Sequence, residues 1–73
     1  MNQIQVYVED SYYPTIIPHK RPTLAHCGYT FSQLIKYIKE ELYWLDINEE
    51  DITTIEIFNK KQHWCNYFEK ESR

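Results

Sequence analysis

The feature that most constrains this chain is a capped, one-sided helix in its middle. Thr30 and Gln33 have the spacing of a reciprocal capping box, and Tyr29 and Leu34 occupy the two positions of a hydrophobic staple, so a helix is predicted to begin at Thr30. At 100° per residue, Phe31, Leu34, Ile35, Ile38, Leu42 and Leu45 fall on one arc and form its core face. The helix is predicted to end near Leu45 or Asp46, before an acidic turn built from Asn48, Glu49, Glu50 and Asp51. A chain of 73 residues holds one core, so the rest of the fold must supply the layer that covers this stripe.

Strand patterns flank the helix. Ile4, Val6 and Val8 alternate with Gln3, Gln5, Tyr7 and Glu9, which is the pattern of a half-buried strand. Ile52 to Phe58 resumes the two-residue period, with Ile55 and Ile57 facing one way and Thr54, Glu56 and Phe58 the other. Asn59 to Gln62 is polar enough for a hairpin turn, and the aromatic-rich segment from His63 to Phe68 reads as a third strand. A short helix carrying Trp64 and Phe68 four residues apart is the alternative for that last segment. Between Asp10 and Tyr29 the periodicity vanishes. Pro14, Pro18 and Pro22 recur every fourth residue there, which marks an extended loop whose middle Ile16 and Ile17 should pin to the core. The predicted fold is therefore α+β: a single domain over 1–73, with a small mixed or antiparallel three-stranded sheet covered on one face by one helix. Were the first two strands parallel neighbours, their crossover would be right-handed.

Composition narrows the function. A domain this small buries only about 60% of the surface its unfolded chain exposes, so it relies on large side chains or on a partner. Seven Tyr, two Trp and three Phe supply more rings than such a core needs, and the surplus belongs near the surface, where Tyr and Trp serve as binding hot spots. There is no run of about 18 apolar residues and no signal-peptide pattern, so no membrane association and a cytoplasmic location are expected. Cys27 and Cys65 are too few for a disulfide framework and are expected to be free, small buried hydrophobes. The single glycine, Gly28, excludes a Gly-rich phosphate loop.

The net charge of −3 conceals a segregated layout. Residues 11–39 hold Lys20, Arg21, Lys36 and Lys39 with no acid, whereas residues 40–59 hold Glu40, Glu41, Asp46, Glu49, Glu50, Asp51 and Glu56 with no base. One edge of the fold should be strongly negative. Tyr37 and Trp44, seven residues apart, lie together on the flank of the helical stripe beside Glu40 and Glu41. Rings with charges around them have the makings of an interface core and its rim. The plain alternative is a solvated helix end and turn.

Other chemistries are less well supplied. His26, Cys27, His63 and Cys65 form two short pairs of soft ligands, but neither pair has the spacing of a zinc finger or ribbon, so no metal or other cofactor is expected. Each of His19, His26 and His63 would need a partner acid or nucleophile, and a chain this short has little left to wall off a catalytic pocket. The chain is therefore expected not to be an enzyme. The Pro-flanked cations His19, Lys20 and Arg21, with Tyr12 and Tyr13, form an alternative binding loop that could grip a phosphate or an RNA backbone, although an acidic protein lacks the overall basic face of most nucleic-acid binders.

These observations point to a small acidic protein-binding module. The composition is of the kind seen in small phage or mobile-element proteins that inhibit a host defence or replication complex. A stoichiometric inhibitor or adaptor is accordingly expected, docking Tyr37, Glu40, Glu41, Trp44, Asp46, Glu49, Glu50 and Asp51 on a basic, nucleic-acid-binding protein. A small nucleic-acid-binding regulator using the basic loop is the alternative.

Overall fold

Alternation in the strand segments builds a sheet with one apolar side, and the computed structural model describes it over residues 2–70. Strands β1 (Asn2–Val8), β2 (Thr15–Ile16), β3 (Ile52–Asn59) and β4 (Trp64–Glu69) stand in the order β2-β1-β3-β4, with every neighbouring pair antiparallel. The α+β class and the one-sided helical cover hold. The sheet has four strands rather than three, because the proline-spaced loop contributes the two-residue β2, too short to show any period. β1 and β3 are antiparallel neighbours, so no crossover of fixed hand arises.

Ile4, Val6, Ile55 and Ile57 are fully buried and meet Leu34, Ile35, Ile38 and Leu42 from the helical layer. That layer begins as expected: Thr30 N–H donates to Gln33 Oε1 at 2.8 Å, and Gln33 N–H donates to Thr30 Oγ1 at 3.1 Å. It is two short helices, α1 (Phe31–Tyr37) and α2 (Lys39–Trp44), with a bend at Ile38 where ψ opens to 11°. Ile35 and Ile38, before and at this bend, are both buried against the sheet. Hydrogen bonds from Ile38 N–H to Leu34 O and from Leu42 N–H to Ile38 O carry the ladder across the bend.

The helix stops in a Schellman arrangement. Asp46 adopts φ 58°, Ile47 N–H donates to Leu42 O at 2.9 Å, and Asp46 N–H donates to Tyr43 O at 3.2 Å. Termination at that point leaves Leu45 at the cap, 38% exposed, instead of on the core face. Phe31, at the other end of the stripe, is half-buried.

The loop at 10–29 is held along its length. Ile17 is buried and its N–H donates to Ile4 O at 3.0 Å, whereas Ile16 projects from the opposite side of the sheet and is exposed. Of these two, Ile17 alone anchors the loop to the core, because consecutive residues of an extended segment point to opposite faces. Farther on, Pro22 is buried and its carbonyl accepts from Asn2 Nδ2. The carbonyl of Cys27, inside a 3-10 turn at Leu24–Gly28, accepts from Asn66 Nδ2 at 3.3 Å.

Candidate functional site

Residues 18–26 fold back over the flank of the helical layer. This joins the two sites that the sequence kept apart, and Lys20 is the link. Its ammonium stands 4.8 Å from the centroid of the Tyr37 ring and 3.9 Å from Glu41 Oε2. Tyr37 is half-buried in a stack of rings. His26 lies 4.4 Å from it at 29°, Tyr29 meets His26 edge-on at 4.9 Å, and the Tyr37 hydroxyl donates to Arg21 O at 3.5 Å. His26 Nδ1 accepts from Thr23 N–H at 2.8 Å, which places the ring proton of the neutral imidazole on Nε2. This clamp was not visible in the sequence, although Thr23 and His26 have the spacing of a side-chain cap.

Glu41 belongs to the covered part of this surface. It is buried, 8% exposed, and its Oε1 has no hydrogen-bond partner among the described residues. Glu40, Tyr43 and Trp44 are exposed beside it. Trp44 is 74% and Tyr43 78% exposed, and their rings contact each other edge to face at 5.5 Å. A shallow groove of about 420 Å³ runs between the loop and α2, lined by Pro18, His19, Glu40, Glu41, Trp44 and Leu45.

The remaining acids lie elsewhere. Asp46 occupies the exposed left-handed cap position, and Asp51 accepts Glu9 N–H at its backbone carbonyl. Glu49 and Glu50 stand in a 3-10 turn, Glu49–Asp51, and line a second groove together with Lys36, Lys39 and Lys70. Lys70 Nζ also donates to Glu50 O at 2.9 Å. In three dimensions Glu49 and Glu50 therefore share a groove with lysines, and the Glu40–Trp44 part stands apart from it. Tyr12 and Tyr13 are almost fully exposed ahead of β2 and do not line the groove that His19 lines. Arg21 is exposed.

The uncovered face of the sheet carries a second polar cluster, centred on Glu56. Tyr7 OH donates to Glu56 Oε1 at 3.2 Å, and the Cys65 thiol donates to Oε2 at 3.1 Å. Tyr67 stands directly across from Glu56 in the register, and hydrogen bonding to that carboxylate, with its charge, pushes the phenol up to about 12. Partial desolvation by its neighbours on the sheet, then the Glu56 hydrogen bond, pushes the Cys65 thiol up. Burial, then the Glu56 charge, does the same to the Tyr7 phenol. Cys65 is exposed rather than a buried hydrophobe, because its position on β4 faces away from the helices; Cys27 is half-buried. No group of three or more His, Cys, Asp or Glu side chains that could hold a metal ion occurs among the described residues, and no helix among them is long and apolar enough to cross a membrane.

Comparison with protein-family models, with curated proteins and with solved structures finds no match to this chain.

Proposed function

We propose that the protein is a stoichiometric protein-binding module, an inhibitor or adaptor, that docks the flank of α2 on a basic surface of a nucleic-acid-binding protein. The observation that carries this reading is the exposed pair Tyr43 and Trp44 beside a groove with Glu40 and Glu41. Two large rings left in water cost the isolated protein hydrophobic free energy that a partner would recover, and Trp and Tyr are the residues that dominate interface energetics. Glu40 at the groove edge, with the overall charge of −3, favours approach to a positive surface. The surface so defined is narrower than the run of acids in the sequence, since Glu49 and Glu50 face lysines.

The loop supports the nucleic-acid reading less well: Lys20, its central cation, is turned inward over Tyr37 towards Glu41, and Tyr12 and Tyr13 stand away from the groove that His19 lines. The test is affinity capture from host lysate with the wild-type protein and Trp44→Ala in parallel, each at matched folding by circular dichroism. A partner retained by the wild type and lost by the variant supports the reading. Retention on heparin and nucleic-acid recovery in the capture, unchanged by Trp44→Ala, would replace it with the alternative.

A further inference from the structure

We propose that the groove beside Trp44 receives one arginine side chain of the partner, and that Lys20 is a resident cation which the incoming guanidinium displaces. The inference rests on the protein-binding reading above and gives it a chemistry. It starts from Glu41, a carboxylate more than nine-tenths buried at the groove wall. Buried polar atoms in folded proteins nearly always have a partner, and a charged one without it is the exception that asks for a cause. Glu41 Oε1 has none among the described residues, and Oε2 has only Lys20.

Lys20 satisfies this acid poorly. Its Nζ lies 3.9 Å from Oε2, beyond the roughly 2.7–2.9 Å of a charge-assisted hydrogen bond. The same ammonium is held over the Tyr37 ring, so it divides itself between two acceptors. Its side chain is 30% exposed and sits on a loop, which gives it a way out. An ammonium is a point charge and cannot span both carboxylate oxygens, whereas a guanidinium presents paired donors at the spacing of a carboxylate and stacks on aromatic faces. The groove offers both complements: the Glu41 carboxylate at its wall, whose Oε1 is enclosed while Lys20 is seated, and the open indole of Trp44 at its side. Glu40 at the rim adds negative charge to attract the cation. A metal ion is the poorer occupant, because the acids and His19 around the groove do not converge into a metal-binding group.

The experiment is an NMR titration of the full chain with the blocked peptide acetyl-Gly-Arg-Gly-amide, with its lysine and citrulline counterparts as controls. The Trp44 indole reports the groove. Trp64, whose indole donates to Gln62 Oε1, is the internal reference. The expected result is a saturable shift of Trp44 but not Trp64, with affinity falling at least about tenfold for Glu41→Gln and for the citrulline peptide. Lys20→Met should tighten binding by about threefold or more, since it removes the competing cation, an effect that a merely structural lysine would not produce. Wild-type affinity in Glu41→Gln, equal shifts at both indoles, or no saturable shift in either the wild type or a folded Lys20→Met would overturn the proposal. If that happens while Trp44→Ala still loses its captured partner, the arginine site fails and the wider protein-binding reading stands.

Discussion

Two glutamates on opposite sides of the sheet illustrate what distinguishes the two surfaces of this molecule. Glu56, on the uncovered face, is only half-buried, yet each of its oxygens accepts a hydrogen bond, from Tyr7 and from Cys65, and Tyr67 stands alongside. Glu41, under the loop, is buried, yet among the described residues one oxygen is unpartnered and the other has a single distant lysine. The rings differ in the same sense. The Tyr7 hydroxyl donates to Glu56 and Tyr67 stands across from the same acid, while Tyr43 and Trp44 are exposed and contact each other edge to face. A polar cluster complete within the chain stabilises a surface; one that is incomplete and faces a groove has capacity left for a second molecule.

The largest expected effect removes what both surfaces stand on. Ile38 is fully buried at the bend between α1 and α2, and Ile38→Ala should cost about 2–5 kcal/mol through lost burial and a residual cavity. Chemical denaturation gives the value, and an unchanged midpoint would mean that the helical layer does not seat on this residue.

A smaller effect separates the two acids by sign. Glu41→Leu deletes a buried, under-partnered charge and should stabilise the fold by about 1–2 kcal/mol while damaging partner binding. Glu56→Gln weakens two hydrogen bonds and should cost about 0.5–1.5 kcal/mol with binding intact. Paired denaturation curves check both, and stabilisation by Glu56→Gln with loss from Glu41→Leu would invert the comparison.

The smallest effect is a pH dependence centred on the uncovered face. The Cys65 and Tyr67 values are raised above their ordinary 9.0 and 10.0, Tyr67 to about 12. A group whose folded pKa is raised lends stability that is complete below its unfolded pKa and is lost as pH climbs through the folded one. This face should therefore be undiminished at neutral pH and weaken between about pH 9 and about pH 12. Ultraviolet titration of the phenols should show Tyr7 and Tyr67 ionising after the others, Tyr67 last, and Glu56→Gln should bring Tyr67 back towards the rest.

Much of this architecture was legible because it is local. The Thr30–Gln33 cap, the stripe from Leu34 to Leu42 and the alternation around Ile4 and Ile55 are all set by neighbours within a few residues. β2 was not legible, since two residues carry no period. The loop cover was hidden for a different reason: Lys20 and Glu41 are twenty-one positions apart, and nothing in their spacing encodes a contact. Glu41 consequently read as an interface acid paired with Glu40 and not as a buried one. Its place three residues after Ile38 and one before Leu42, at the margin of the apolar stripe, was the available signal. The Glu56 cluster was likewise invisible until β1, β3 and β4 fell into register, although Tyr7, Glu56, Cys65 and Tyr67 each occupy outward positions of their strands.

The central claim is that binding runs through the α2 flank and not through the uncovered sheet face. Surface plasmon resonance against the captured partner, comparing Trp44→Ala with Tyr67→Ala at two salt concentrations, tests it most directly. Trp44→Ala should lose at least about 2 kcal/mol of affinity, mainly by faster dissociation, while Tyr67→Ala stays within about 0.5 kcal/mol of the wild type. Wild-type kinetics for Trp44→Ala together with a large loss in a folded Tyr67→Ala would contradict the account and move the interface to the other side of the sheet.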